Sequence, residues 1–411
     1  MMSFLFARQQ TADGRQQVVD NKKQTENGSA VRCLLSAVLI LVLGCADSYD
    51  NKKPAPLPKE TPGRYKSEGG EYPVGAIPNA TLHDPQRNKD IELVIEYPSR
   101  GEGPFPVIVF SHGYGGSNKN YVGLTEYWAG HGYVCIKPSH ADAGKLRDLV
   151  REQMQERREA RREGRQPDRT LGEAVWDSQS VADWRDRVRD VTFILDSFHL
   201  LEERYPELDG RLDRSRIAVA GHSYGAFVAM LVGGVEPVRD GKPLQLADPR
   251  VKAIVAMSPQ GVSAARGLTA ESFRNVKIPA MFMTGSEDRG ALASETPEWR
   301  RTAFDNAPPG DKYFVLIHGA NHFSFGGGFS LPSADDDSYD RMDAMTAQQR
   351  NDRAMPRSRG ENRFIQEKGV FDSIKISATA FWDAYLKAAP AAHEYLDTKL
   401  PQRSGVTMVK K

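Results

Sequence analysis

Cysteine is scarce. The 411-residue chain holds three, Cys33, Cys45 and Cys135, and with the first two flanking one apolar stretch no disulfide framework can be built. Net charge is nearly absent too. Lysine and arginine number 55 against 54 acidic residues, a formal charge of +1, so there is no bulk field to hold nucleic acid. No internal repeat is visible, and no apolar run reaches the roughly 20 residues that crossing a bilayer requires. What is present is a chain built to fold. Its 39% hydrophobic content is too high for wholesale disorder. At this length a single α/β domain of about 250–300 residues with excursions is as plausible as two domains, and folding would bury roughly three quarters of the surface. That leaves room for a deep, water-excluded site.

The apolar stretch near the N-terminus, Cys33–Leu43, is eleven residues long, preceded by Arg32 and followed by Gly44 and Cys45. It has the length of the h-region of an export signal. An ordinary signal peptide and a short buried helix are the other readings. The four residues Val42-Leu43-Gly44-Cys45 resemble a bacterial lipobox, which implies lipidation at Cys45, removal of residues 1–44 as a leader, and an anchor in a membrane. Ala46 in the next position implies transfer to the outer membrane of a Gram-negative cell. Residues 1–30 are polar and mixed in charge, far longer than a usual n-region, which suggests a start site assigned too early, with Val31 as the alternative start. With Cys45 lipidated, Cys135 is expected to be a small buried hydrophobe.

Residues 45–72 carry Pro54, Pro56, Pro58 and Pro62 among many charges, the composition of an extended spacer. From 73 to about 400 the pattern is that of one α/β domain. Apolar, β-rich runs occur at Ile91–Tyr97, Phe105–Phe110, Tyr133–Ile136, Ile217–Ala220, Val251–Met257, Ala280–Thr284 and Tyr313–Ile317. Helical patterns alternate with them at about 118–130, 180–203, 224–234, 296–306 and 371–388. Such alternation predicts a mainly parallel central sheet with helices on both faces, and its sites at the strand ends. Two stretches interrupt it. In residues 144–170 the run REQMQERREARREGR places like charges at i,i+4, Arg157 with Arg161 and Glu159 with Glu163, so pairing would not stabilise an isolated helix. A solvated excursion or mobile cap is expected there, with binding to anionic headgroups the alternative. Residues 324–366 hold Asp335-Asp336-Asp337, Asp340 and Asp343, without the spacing of a Ca²⁺ loop. A surface insertion is expected.

The chemistry points to Gly221-His222-Ser223-Tyr224-Gly225, set between strand-like Ile217–Ala220 and helix-like Ala226–Val232. A G-x-S-x-G turn between strand and helix projects its serine from the sheet edge, and the glycines let the two elements approach. The bland reading is a tight turn whose serine caps a helix. A serine hydroxyl needs a base, and for this turn the chain order is serine, acid, histidine. His318, His322 and His393 follow at sufficient distance. His393 falls in a helical pattern and His318 closes a strand, which leaves His322 in the loop Gly319–Phe323. The acid belongs in the loop after the preceding strand, Gly285-Ser286-Glu287-Asp288-Arg289, which offers Glu287 and Asp288. Phe110-Ser111-His112-Gly113-Tyr114-Gly115-Gly116 follows another strand, and its glycines free backbone N–H groups for a developing negative charge. Tyr114 N–H and Tyr224 N–H are the expected oxyanion donors. Phosphate cradling by these glycines is disfavoured, because no P-loop lysine follows in the required spacing.

The ordered set SHGYGG, GHSYG, GSED and GANHF, with Ala129-Gly130-His131-Gly132-Tyr133-Val134 between the first two, resembles the α/β-hydrolases. Within them it is similar to the dienelactone hydrolase and platelet-activating factor acetylhydrolase-like group, with polyester-degrading cutinases and chlorophyllase-like esterases as neighbours. The resemblance spans about 72–388 apart from the two insertions. It implies an α/β-hydrolase fold, and it selects Asp288 over Glu287, since the fourth position of a Gly-x-x-Asp loop is the usual placement in that fold. Dienelactone hydrolases proper use a cysteine nucleophile where this chain has Ser223, so their lactone specificity is not implied. Both insertions start near the expected pocket mouth, so substrate size is not implied either.

The expectation is therefore a membrane-tethered serine carboxylic-ester hydrolase acting through an acyl-enzyme, needing no metal or organic cofactor, with a small or lipid-like ester as substrate. Tyr114, Tyr224 and Pro259 are expected to line the pocket. A serine peptidase or amidase on the same fold, and a ligand-binding lipoprotein without catalysis, are the alternatives.

Overall fold

The computed structural model describes residues 65–326, apart from 67, 291 and 293, and residues 360–411. Its centre is a nine-stranded sheet. In chain order the strands are β1 (Val74–Asp84), β2 (Lys89–Pro98), β3 (Phe105–Ser111), β4 (Val134–Pro138), β5 (Leu212–His222), β6 (Val251–Met257), β7 (Ala280–Glu287), β8 (Lys312–Asn321) and β9 (Val406–Lys410). Their spatial order is β1-β2-β4-β3-β5-β6-β7-β8-β9. The six strands from β4 to β8 run parallel, while β1, β2 and β9 join antiparallel at the two edges. The principal helices are α1 (Val122–Gly130), α2 (Lys145–Glu163), α3 (Leu171–Asp177), α4 (Val181–Asp196), α5 (Phe198–Arg204), α6 (Tyr224–Val232), α7 (Pro297–Asn306) and α8 (Gly360–Leu386).

Successive side chains of a strand point to opposite faces, and this alternation splits the core in two. Val107 and Val109 of β3 and Ile254 and Ala256 of β6 face one layer, with Trp184, Val188 and Val191 of α4, Phe227 of α6 and Phe304 of α7. Ile108, Phe110, Val255 and Met257 face the other, with Trp128 of α1 and Phe381 and Trp382 of α8. A sheet buried on both faces explains why its central strands read as continuous apolar runs. Among the described residues no helix is long and apolar enough to cross a membrane. The α/β-hydrolase fold expected from the motifs is the fold observed.

Three details differ from expectation. The edge strands β1 and β9 lay outside the sequence reading, and β9 extends the domain past residue 400. The helical pattern 180–203 is two helices, broken where Ser197 departs from helical geometry at φ −105°, ψ 15°. The last residues of the expected spacer rest on the domain: the Tyr65 hydroxyl donates to Asp383 at 3.2 Å, and Tyr72 N–H donates to Gly130 O at 2.9 Å. Within 144–170 the charged run is helical as α2, with only Gln153 and Ala160 buried. It is continued by α3, whose N-terminus is closed by a capping box between Thr170 and Glu173. Cys45, the leader, the first part of the spacer and the acidic run 335–343 lie outside the described residues. Cys135 is buried in β4, where burial pushes its thiol well above the ordinary range.

Candidate active site

The parallel strands deliver the expected site residues to one edge of the sheet. β5 ends at His222, and the chain turns through Ser223 into α6 with φ 53° and ψ −116° at the serine, a backbone conformation few L-residues adopt. The glycines on either side are required by contact. A Cβ on Gly221 would lie 2.3 Å from Gly225 backbone atoms, and one on Gly225 would lie 1.9 Å from the Ser111 carbonyl oxygen.

His322 follows β8 and Asp288 follows β7. The Ser223 hydroxyl lies 3.0 Å from His322 Nε2, and His322 Nδ1 lies 2.8 Å from Asp288 Oδ1. A carboxylate only accepts, so Nδ1–H donates to Asp288 and leaves Nε2 free to accept from the serine. Glu287, the alternative acid, is exposed at the end of β7. His318 bonds Thr407 on β9 at 2.8 Å.

Asp288 is fully buried, and its second oxygen is held from three sides. Ser258 Oγ donates at 2.6 Å, Thr284 Oγ1 at 2.8 Å, and Arg300 Nε lies 3.1 Å away. Burial by itself would raise the Asp288 pKa, but the Arg300 charge, His322 and the Ser258 hydrogen bond outweigh it and hold the carboxyl well below its ordinary range. It is an anion at neutral pH. Arg300 comes from α7 and is itself fixed by the carbonyls of Ser258 and Pro259 at 3.0 and 3.1 Å. These supports, Ser258, Thr284 and Arg300, were not found from sequence. Arg300 lay inside a helical pattern that was legible, but nothing local marks which residue of a helix turns toward a distant acid. Ser258 adopts φ 53°, which its sequence neighbourhood does not announce.

The Phe110–Gly116 loop lies beside the serine. Gly113 N–H donates to Tyr121 Oη at 3.3 Å, Gly115 N–H to Asp142 Oδ2 at 2.8 Å, and Gly116 N–H to Gly113 O at 3.1 Å. Tyr114 N–H and Tyr224 N–H have no acceptor among the described residues, the second because it opens α6 and precedes the first intrahelical bond. The Tyr114 and Tyr224 rings meet edge to face at 6.0 Å. Tyr224 is buried, and its hydroxyl has no hydrogen-bond partner among the described residues. Pro259, expected in the pocket wall, is buried, with its carbonyl on Arg300.

Beneath the triad residues sits His222. Its ring is 4.7 Å from that of His322 and stacks on Phe325 at 5.5 Å, and Tyr121 Oη lies 2.8 Å from its Nδ1. Burial first, then the neighbouring His322, pushes its pKa well below the usual imidazole range, so it stays neutral. Among the described residues no three His, Cys, Asp or Glu side chains are placed to hold a metal ion.

With this geometry in view, similarity to known proteins is informative. The family described as platelet-activating factor acetylhydrolase, isoform II, matches residues 88–236, from β2 through α6. Cutinase est2 of Thermobifida alba is 25% identical over 233 residues, 56% of this chain and 56% of the cutinase. The chain therefore spans about half the length of the curated relative it matches. Sheet order, the turn at Ser223 and both similarities agree: the chain has the α/β-hydrolase fold and is similar to the platelet-activating factor acetylhydrolase isoform II family and to a cutinase.

Proposed function

We propose that this protein is a serine carboxylic-ester hydrolase working through an acyl-enzyme. The observation that carries the reading is the unbroken row of hydrogen bonds from Ser223 Oγ through His322 to Asp288, beside two backbone amides without acceptors among the described residues. His322 Nε2 takes the serine proton as Oγ attacks the ester carbonyl. Asp288 holds the ring in the required tautomer and stabilises the imidazolium that forms. The N–H groups of Tyr114 and Tyr224 receive the oxyanion, each such donor contributing typically about 3–4 kcal/mol to the transition state. His322 then protonates the leaving alcohol, and the same steps run with water release the acid.

The names of the similar proteins, an acetylhydrolase and a cutinase, favour ester over amide substrates. A membrane anchor at Cys45 is part of the proposal and rests on the lipobox resemblance. Intact-mass analysis of protein from cells is expected to show a chain starting at lipidated Cys45, and retention of upstream residues would refute that processing. For the reaction, purified protein is assayed on a chain-length series of p-nitrophenyl esters alongside matched anilides. Ester turnover is expected to exceed anilide turnover by about a hundredfold or more. Equal or faster anilide cleavage would replace the ester reading with the amidase one.

A further inference from the structure

Arg187 projects from α4, fully buried, against the back of the Phe110–Gly116 loop, and it is part of no reading so far. Its Nε and Nη2 fork onto both oxygens of Asp142 at 2.9 and 2.7 Å. Its Nη1 donates to His112 O at 2.6 Å and reaches Ser111 Oγ at 3.3 Å, and Nη2 reaches Gly113 O at 3.4 Å. Asp142 Oδ2 in turn accepts from Gly115 N–H at 2.8 Å. The residues before and after Tyr114 are thus tied to one ion pair, and Tyr114 N–H is left unbonded between them. The same guanidinium stacks over the Tyr224 ring, its carbon 4.4 Å from the ring centre. One planar cation therefore touches the chain on both sides of the gap between the two free amides.

We propose that the Arg187–Asp142 pair is a positioning device that sets the spacing and aim of the Tyr114 and Tyr224 amides toward the reacting carbonyl oxygen. The proposal rests on the ester-hydrolase reading for its purpose and on the observed hydrogen bonds for its geometry. A planar fork is needed, because Asp142 is held through two parallel bonds from Nε and Nη2 while Nη1 meets the His112 carbonyl and Nη2 also reaches that of Gly113. A lysine has the charge but cannot make these contacts at once. The pair is also shielded from water, so its bonds are stiff where a solvated pair would be loose. A buried pair of this kind is poor evidence for net stability, which is consistent with a role in geometry.

The test compares the full-length wild type with Arg187→Lys and Asp142→Asn. It uses p-nitrophenyl acetate turnover, inhibition by an aryl trifluoromethyl ketone, thermal melting, and hydrogen exchange of residues 110–117. In the variants that melt cooperatively, kcat is expected to fall about a hundredfold, the scale of a lost oxyanion donor, with KM within about threefold. The ketone, whose adduct places an oxyanion in the hole, should bind weaker by a similar factor. Exchange at 110–117 should quicken by tenfold or more while the strands β6 and β7 keep wild-type protection. A folded Arg187→Lys or Asp142→Asn enzyme with wild-type kcat and ketone affinity overturns the proposal, as does a loss confined to KM. Should both substitutions abolish the melt, Arg187→Gln paired with Asp142→Asn, which removes both charges together, takes their place under the same criteria. Wild-type protein without ester turnover would sink the ester reading instead, and the exchange comparison would still decide whether the pair holds the loop.

Discussion

The described residues form two hydrogen-bonded Ser–His–Asp rows. In one, Ser223 Oγ, His322 and Asp288 are linked at 3.0 and 2.8 Å. In the other, Ser111 Oγ, His140 Nε2 and His140 Nδ1, Asp190 Oδ2 are linked at 2.9 and 2.8 Å. Distance does not separate them. Surroundings do. His322 keeps 16% of its side chain exposed, while His140 and Asp190 keep none. Ser223 sits on a strained turn with a free amide next to it, whereas Ser111 ends a strand and faces the Arg187 guanidinium. A base must accept a proton in the transition state. Burial, and then the Arg187 charge, push His140 toward the neutral form, and its carboxylate is shared with Arg87 and Lys89. The lesson is that on the proposed reading a row of bonds is not enough, and that access for substrate and a neighbouring site for the oxyanion set the outer row apart from the inner one. The inner row instead fastens β3 and β4 to α4.

The largest contrast is expected between the two serines. Ser223→Ala should lower ester turnover by about a millionfold, whereas Ser111→Ala should lower it less than about tenfold, both read from steady-state kinetics with a circular-dichroism check of folding. Comparable losses from both would erase the distinction. The aspartates should divide differently. Asp288→Asn is expected to reduce kcat by about ten thousandfold through the wrong imidazole tautomer, leaving the melt cooperative. Asp190→Asn should instead destabilise the fold by about 3–5 kcal/mol, the scale of a broken buried ion pair, measured by denaturant unfolding, with the folded fraction still active.

That stability deficit has a pH signature. Although burial alone would raise it, the hydrogen bond from His140 and the charge of Lys89 hold the Asp190 pKa at about 2, below the roughly 3.9 of an unfolded aspartate. Its folded form binds protons less readily, so its contribution is complete above about pH 4 and fades as pH falls toward 2. The gap between wild type and Asp190→Asn should shrink over that range. A smaller effect comes from His112, His140 and His222, whose folded pKa values are all pushed down by burial. Unfolding lets each take up a proton, so stability should decline as pH drops below about 6.5. Unfolding free energy that is flat from pH 7 to 5 would contradict this.

The legibility of these regions follows from how local their signals are. Val251–Met257 was read from sequence with the bounds it has in the structure, because a strand buried on both faces is an unbroken apolar run. Ser223 was legible because its turn demands two glycines in contact with the backbone around them. His322 followed from chain order and a loop position. β1 was missed because an exposed edge strand interrupted by Pro78 and a bulge after Ile77 keeps little apolar alternation, and β9 because five residues after a helical region carry too weak a period. Arg187, Arg300 and the inner row were invisible for another reason. Ser111, His140 and Asp190 lie far apart in sequence, and only the folded sheet brings them together.

The comparison is tested most directly by treating the wild-type protein with a fluorophosphonate and mapping the adduct by mass spectrometry. The account predicts a single phosphonylated serine, Ser223, with Ser111 unmodified. Labelling at Ser111, or no reaction at Ser223 in folded protein, would contradict it.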